Sequence, residues 1–244
     1  MLGLPDSVAG CLFDLDGVLT QTAKIHAAAW KAMFDPYLRT RAAATDADYV
    51  PFDPMADYNQ YVDGRPTYEG ARAFLASRAI VLPQGAPSDP SHRETIDGLG
   101  NRKNELFLEL IREHGVQPYE GSVRYLRAAL GAGLRCAVVS SSTNARDVLI
   151  TAGIAELFEV VIDGVLAERE HLAGKPAPDT FLAGARALGL EPAQAGVFED
   201  ALAGVQAGRA GRFGVVFGVD RVGQADALRA NGANVVVGDL AELL

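Results

Sequence analysis

The chain has 244 residues, of which 49% are hydrophobic and 22% are charged, and its formal net charge is -9 at pH 7. This composition is typical of a soluble globular protein, and the length suits one domain or one domain with an insertion. The negative charge disfavours binding to nucleic acid or to an anionic membrane surface, and no apolar run approaches the roughly 20 residues needed to cross a bilayer.

The start of the sequence does not resemble a signal peptide, because it lacks both a basic region and a long apolar region. The two cysteines, Cys11 and Cys136, fall in predicted buried strands and indicate no disulfide framework. We therefore expect a cytoplasmic protein without a membrane or nucleic-acid partner, and a monomer is the default expectation.

The first predicted strand, residues 8–13, is followed by two carboxylates, Asp14 and Asp16, and then by Gly17. Open α/β sheets bind their ligands at the carboxyl ends of the strands. Two adjacent carboxylates repel each other, and a hard divalent cation, Mg2+ above all, would neutralise their negative charge. The motif therefore predicts metal-assisted phosphoryl chemistry with one carboxylate as nucleophile, although Asp-x-Asp after an apolar run also fits a polar loop.

Residues 21–117 show helical patterns and no strand pattern. Helices are predicted over residues 22–34, 68–77 and 99–114, with loops rich in Pro and Asp between them. We interpret residues 21–117 as a helical cap domain, inserted into a core domain formed by residues 1–20 and 118–244. An insertion after the first strand would lie above the strand ends, where a lid over an active site belongs.

From residue 119 onward, helices and short apolar strands alternate. Helices are predicted over 119–130, 144–152, 177–188, 201–210 and 225–230, and strands over 134–140, 158–162, 195–198, 213–219 and 235–237. Short apolar strands separated by helices are typical of a parallel sheet covered on both faces. The sequence therefore predicts an α/β fold, a Rossmann-like parallel sheet core with an inserted α-helical cap domain.

The later core strands are followed by groups suited to phosphate or metal. Ser140 and Ser141 precede a helix, where hydroxyls and backbone amides can hold an anion. Lys175 stands before rigid prolines, and Glu199 and Asp200 follow the fourth strand. Each group alone also fits a structural role: a capping turn, a solvated lysine, or an acidic first turn. Their recurrence at successive strand ends favours one metal-plus-phosphate site.

In this order, the segments Asp14-Leu15-Asp16-Gly17, Ser140, Lys175 and Glu199-Asp200 resemble the four motifs of the haloacid dehalogenase superfamily. The insertion after the first motif resembles the superfamily's helical-cap subfamily. Shorter segments, among them residues 140–144 and 175–179, resemble the β-phosphoglucomutase family. The acid at position 16 favours phosphate substrates, because the dehalogenases that act on carbon lack an acid there.

The resemblance implies a role for each motif. Asp14 would attack phosphorus and become an aspartyl phosphate, while Asp16 would act as general acid and then as general base. Ser140, Ser141 and Lys175 would bind phosphoryl oxygens. Mg2+ would be held by Asp14, the Asp16 carbonyl and Asp200, with Glu199 close by or binding through water.

The resemblance also implies substrate-binding residues, which are His26, Trp30, Gly64, Lys103, Asn104 and Asn144. Trp30 equally fits a core aromatic residue. His26 fits either a hinge residue with satisfied hydrogen bonds or a residue that orients Asp16.

Three positions depart from the β-phosphoglucomutase pattern: Thr67 replaces an Arg, Thr143 replaces a Lys, and Gln21 replaces an Asp. Arg65 or Arg72 could substitute for that Arg, but the absence of its bidentate contact disfavours binding of a bisphosphate. Two outcomes share the first chemical step on a small-molecule sugar phosphate. A mutase converts β-glucose 1-phosphate to glucose 6-phosphate, whereas a phosphatase releases phosphate to water. A non-catalytic receiver or sugar-phosphate sensor is the third possibility.

Overall fold

The fold is seen in a computed structural model that describes residues 2–244, and the chain divides into two compact units. The α/β unit contains the residues up to Gln21, Gly64–Pro66 and Val116–Leu244. The helical unit contains Thr22–Asp63 and Thr67–Gly115. The short segment Gly64–Pro66 thus groups with the α/β unit, although its neighbours in sequence belong to the helical unit.

A parallel sheet forms the centre of the α/β unit. Its strands are β1 (Gly10–Phe13), β2 (Arg135–Val139), β3 (Val160–Ile162), β4 (Ala195–Glu199), β5 (Val215–Val219) and β6 (Val235–Val237). Within residues 2–244 they pair in the order β3-β2-β1-β4-β5-β6, always in parallel. The order reverses between β1 and β4, where such sheets open a ligand crevice at the carboxyl ends. The predicted α/β fold is therefore confirmed.

The helices alternate with the strands as the sequence predicts. The helical unit contains α1 (Ala23–Thr45), α2 (Thr67–Ser77) and α3 (Ile96–His114). The α/β unit contains α4 (Glu120–Gly131), α5 (Ala145–Thr151), α6 (Gly164–Arg169), α7 (Asp179–Ala187), α8 (Leu202–Ala210) and α9 (Ala225–Asn231). Helix α6 was not predicted, because its 6 residues are too few to show a helical period. None of the helices described in residues 2–244 is long and apolar enough to span a membrane.

An aromatic layer lies directly beneath the strand ends of the α/β unit. Phe13, Phe198 and Phe217 occupy matching positions on β1, β4 and β5. Their rings stack with centroids 4.6 Å apart between the first two and 4.7 Å apart between the last two. Stacked aromatic pairs contribute about 0.5–1.5 kcal/mol beyond their buried area. Packing in this layer therefore helps to keep the ends of β1 and β4 in register, so that the residues that follow the two strands lie next to each other.

The predicted end of the first cap helix, residue 34, is wrong, because α1 continues through Pro36 to Thr45. Proline lacks the amide that an α-helix needs in its interior, so Pro36 disfavours a helix that continues past this point. Burial of Leu38 in the core of the helical unit favours continuation. The predicted loop after this helix also contains a π-helical turn at Tyr58–Val62.

Candidate active site

Asp14 is the first residue after β1, and its backbone amide donates to the Phe198 carbonyl on β4 at 2.9 Å. This bond extends the sheet by one step and brings Asp14 beside the end of β4. Asp14, Glu199 and Asp200 are all buried. The two strand ends therefore place carboxylates that lie far apart in sequence in one buried cluster.

Lys175 lies inside this carboxylate cluster. Its ammonium group donates to Asp14 Oδ1 at 2.5 Å, to Glu199 Oε1 at 2.7 Å and to the Val139 carbonyl at 3.1 Å. The Lys175 side chain has no exposed surface, and its Nζ lies 4.8 Å from the centre of the Phe181 ring. The alternative of a solvated loop lysine is therefore wrong.

The electrostatics of the pair follow from its burial. Burial opposes the charged form of Lys175, but the negative charges of Asp14 and Glu199 outweigh it and raise the lysine pKa. Burial also raises the pKa of Asp14 well above its usual range, and Glu199 and Asp16 add to this effect while Lys175 opposes it. One ammonium group therefore does not balance the carboxylates, and a further cation would stabilise their charged forms.

The donor set fits such a cation. Asp14, Glu199 and Asp200 each offer a carboxylate oxygen, and these oxygens lie within 4.8 Å of one another. Oxygen ligands of this kind suit a hard divalent ion such as Mg2+. The buried acidic cluster could thus hold a metal ion.

Two glycines make room for these carboxylates. A Cβ on Gly17 would lie 1.7 Å from Asp200 Oδ2, and a Cβ on Gly204 would lie 1.7 Å from Glu199 Oε1. Gly17 also has φ +96°, a backbone conformation that other residues rarely adopt. No other residue type at position 17 or 204 would leave the acidic groups where they are.

Ser140 and Ser141 lie at the end of β2. The Ser140 hydroxyl is 3.5 Å from Asp16 Oδ2 and accepts the amide of Ser142 at 3.1 Å. The Ser141 hydroxyl donates to the Gly64 carbonyl at 2.8 Å, so its proton is already engaged. Of the two predicted phosphate-binding serines, Ser140 is therefore the one whose side chain lies beside the carboxylates.

Gly64 and Asn144 also lie near this end of the α/β unit. A Cβ on Gly64 would lie 2.8 Å from the Cβ of Ala201, the residue after Asp200. The side-chain nitrogen Nδ2 of Asn144 is buried and has no hydrogen-bond partner among residues 2–244. Because an unsatisfied buried donor costs free energy, the unpaired Nδ2 at this edge of the sheet is consistent with a ligand-binding role for Asn144.

The remaining predicted binding residues, His26, Trp30, Lys103 and Asn104, belong to the helical unit. Lys103 Nζ lies 2.7 Å from His26 Nδ1, and the His26 ring stacks on Phe107 with centroids 3.9 Å apart. Trp30 is buried and stacks on another core ring, as the core-aromatic alternative predicts.

Asn104 forms a polar contact with another residue of the same unit. Its Oδ1 lies 3.5 Å from the Thr67 hydroxyl, so the side chain of Thr67 faces a neighbouring amide. Arg72, one of the two cations that the sequence offers for a second phosphate, donates to the Gln84 side chain. Among the described residues, Arg65 makes no ion pair, and it lies in the α/β unit next to Gly64.

The loop after β5 was missed from the sequence. Gln224 in this loop donates to the Asp200 carbonyl at 3.0 Å, and Arg221 donates to the Gly17 carbonyl at 2.9 Å. The signal that marked the other groups, a polar residue at a strand end, is also present here as Asp220-Arg221. Neither residue belongs to one of the four motifs, so the sequence alone does not assign this pair to the site.

The comparisons agree with this geometry. Residues 8–212 match the model of the haloacid dehalogenase-like hydrolase family. A β-phosphoglucomutase of Mycobacterium tuberculosis is 58% identical over 247 residues, covering 100% of this chain and 94% of that protein. A β-phosphoglucomutase of Bacillus subtilis is 31% identical over 235 residues, covering 95% of this chain and 90% of that protein.

Among solved structures, a β-phosphoglucomutase of Clostridium difficile has the same fold. It superposes with a TM-score of 0.75 at 24% identity, covering 97% of this chain and 93% of that one. The resemblance inferred from the four motifs is confirmed. The chain belongs to the haloacid dehalogenase-like hydrolase family, in the branch that includes the β-phosphoglucomutases.

Proposed function

We propose that this chain catalyses Mg2+-dependent phosphoryl transfer on a hexose phosphate through an aspartyl phosphate at Asp14. The proposed net reaction converts β-glucose 1-phosphate to glucose 6-phosphate through glucose 1,6-bisphosphate. The observation that carries the proposal is the contact of the buried Lys175 ammonium with Asp14 and Glu199 beside Asp200. The 58% identity to a β-phosphoglucomutase over the whole chain supports the choice of substrate.

Asp14 is the proposed nucleophile. Its Oδ1 is fixed by Lys175, which leaves the other oxygen free to attack phosphorus in line with the bond that breaks. As the Asp14 oxygen bonds to phosphorus, the bond from phosphorus to the sugar oxygen breaks. Lys175 holds the carboxylate in place and offsets part of the negative charge that gathers in the cluster.

Asp16 is the proposed acid and base. In the first half-reaction its proton passes to the departing sugar oxygen, which leaves as a hydroxyl group. In the second, the Asp16 carboxylate takes the proton of the hydroxyl group that attacks the aspartyl phosphate. The Ser140 hydroxyl, 3.5 Å from Asp16 Oδ2, helps to hold this side chain at the strand end.

The phosphoryl oxygens would be held by Ser140, Lys175 and the unpartnered Nδ2 of Asn144. The proposed metal ligands are Asp14, the Asp16 carbonyl and Asp200. Glu199 lies beside these ligands and forms an ion pair with Lys175. When bound, Mg2+ would neutralise charge on the phosphoryl group and help to orient it. Phosphoryl transfer depends mainly on such positioning and charge neutralisation.

A sugar-phosphate phosphatase is the second candidate, and the observation that favours it is Thr67. A bisphosphate intermediate must reverse its orientation in the site without dissociating, which requires strong binding of its second phosphate. Thr67 supplies no charge, and its hydroxyl faces Asn104. In a phosphatase, water would attack the aspartyl phosphate instead of a sugar hydroxyl group.

Phosphorus NMR separates the two candidates. The purified protein is mixed with Mg2+, β-glucose 1-phosphate and a trace of glucose 1,6-bisphosphate. We expect a growing glucose 6-phosphate signal without inorganic phosphate, and none with Asp14→Asn. Inorganic phosphate alone would identify a phosphatase, whereas binding without any turnover by the unaltered protein would identify a sensor.

A further inference from the structure

Hydrogen bonds to one carboxylate organise the backbone of the loop that follows β5. The carboxylate of Asp220 accepts hydrogen bonds from the amides of residues 222–225, at 2.7 to 3.2 Å. Burial opposes the charged form of this group, but the backbone amides outweigh it and lower the pKa of Asp220. The loop therefore folds around a charged carboxylate. These hydrogen bonds position the backbone of the loop, to which Arg221 and Gln224 also belong.

Arg221 reaches the loop that follows β1. Its Nε donates to the Gly17 carbonyl at 2.9 Å and its Nη2 lies 3.4 Å from the Val18 carbonyl. The guanidinium group lies over the Tyr119 ring, with Cζ 3.6 Å from the ring centre. Its Nη1 donates to the Gly238 carbonyl at 2.8 Å. A side chain held at this many points has little freedom, and it fixes the peptide groups that follow Gly17 and Val18.

Gln224 reaches the other strand end of the site. Its Nε2 donates to the Asp200 carbonyl at 3.0 Å. Gly17 and Asp200 are themselves in contact, since a Cβ on Gly17 would overlap Asp200 Oδ2. One loop thus holds the backbone on both sides of the close approach between Gly17 and Asp200.

The peptide between Asp16 and Gly17 is also constrained. The Gly17 amide donates to the Thr20 carbonyl at 2.8 Å. Arg221 donates to the Gly17 carbonyl, so hydrogen bonds hold both the amide and the carbonyl group of Gly17. The direction of the Asp16 carbonyl, a proposed metal ligand, follows from this pair of bonds.

We propose that Arg221 and Gln224 are positioning residues that hold the Asp14–Gly17 strand end and Asp200 at the separation needed to bind a divalent cation. Neither residue is a proposed ligand or touches a reacting atom; each acts through a backbone carbonyl. Removing a residue that supports metal ligands typically weakens metal binding about 10- to 100-fold. The inference rests on the proposed Mg2+ site, and titration of the unaltered protein tests that site separately.

The test is isothermal titration of Mg2+ into the full-length unaltered protein, Arg221→Met, Arg221→Lys and Gln224→Met. Arg229→Met is the matched control, because Arg229 is exposed on α9 and, among residues 2–244, forms its ion pair with Asp226 on the same helix. We expect about 10- to 100-fold weaker binding in Arg221→Met and about tenfold weaker binding in Gln224→Met. Arg221→Lys should regain part of the loss, since an ammonium group can still donate to the Gly17 carbonyl.

Melting temperatures in EDTA show whether a loss of affinity reflects unfolding. The positioning role predicts that Gln224→Met melts within a few degrees of Arg229→Met while its Mg2+ affinity falls. If Arg221→Met does not fold, Gln224→Met and Arg221→Lys decide the question. Affinities within twofold of the unaltered protein in the folded variants would overturn the role of the loop alone. Failure of the unaltered protein to bind Mg2+ would overturn the metal site and this inference together.

Discussion

Gly17 and Asp200 share a space that no side chain at position 17 can enter, because a Cβ there would lie 1.7 Å from Asp200 Oδ2. The two residues follow β1 and β4, the strands between which the sheet order reverses. Their contact is the point at which the two acidic segments of the sequence meet. It explains why a glycine follows the second carboxylate of the first motif.

Gly17→Ala should therefore weaken Mg2+ binding and lower kcat by at least about tenfold, since small displacements of metal-supporting groups have effects of that size. The methyl group must displace Asp200, and φ +96° adds backbone strain. Gly133→Ala is the control, because Gly133 has φ +82° but nothing within 4 Å of its Cβ position. Calorimetry and steady-state kinetics check both variants. Equal losses in the two would show that strain alone, and not the approach of Asp200, is responsible.

Lys175→Met should lower stability in the absence of metal, because it leaves Asp14 and Glu199 buried without a counter-charge. Breaking a buried ion pair in this way costs about 3–5 kcal/mol. Mg2+ should then stabilise the variant more than it stabilises the unaltered protein, since the competing ammonium group is gone. Urea unfolding with and without Mg2+ measures both effects. A smaller metal-induced gain in the variant would contradict the view that Lys175 and the metal neutralise the same carboxylates.

Asp16→Asn should separate the two chemical tasks of the first motif. Transfer from glucose 1,6-bisphosphate should fall by about 10²- to 10⁴-fold, because its sugar oxygen needs a proton as it leaves. Phosphorylation of Asp14 by acetyl phosphate, whose leaving group needs no proton, should fall far less. Rapid-quench measurement of phosphoprotein formation with each donor checks this. Equal losses would mean that Asp16 serves chiefly to place the metal.

Much of the α/β unit could be predicted from the sequence, because its signals are local. Each buried strand is a short apolar run, and the acids of the site directly follow β1 and end β4. Parallel pairing then brings these ends together without further information. The apolar runs and the acids directly after them therefore predict that Asp14, Glu199 and Asp200 lie together.

The parts that escaped prediction depend on long-range contacts. Nothing near Lys175 in sequence indicates that its ammonium group is buried against two carboxylates. The hydrogen bond from Arg221 to the Gly17 carbonyl joins residues 204 positions apart. The polar pair Asp220-Arg221 after β5 does not indicate which backbone carbonyl such a distant side chain binds. The continuation of α1 past Pro36 likewise depends on the packing of Leu38 in the core.

Position 67 holds a threonine where the resemblance to the β-phosphoglucomutases implies an Arg, so another cation would have to bind the second phosphate. Arg72 already donates to Gln84, whereas Arg65 lies next to Gly64, whose carbonyl is bonded to Ser141. We therefore expect Arg65→Met to raise KM for glucose 1,6-bisphosphate by about tenfold, the loss of one charge-assisted contact. Arg72→Met should leave KM within about twofold, because the exposed side chain contributes little when its partner is neutral. Steady-state kinetics with the bisphosphate measures both, and a larger rise in Arg72→Met would reassign the second phosphate to that residue.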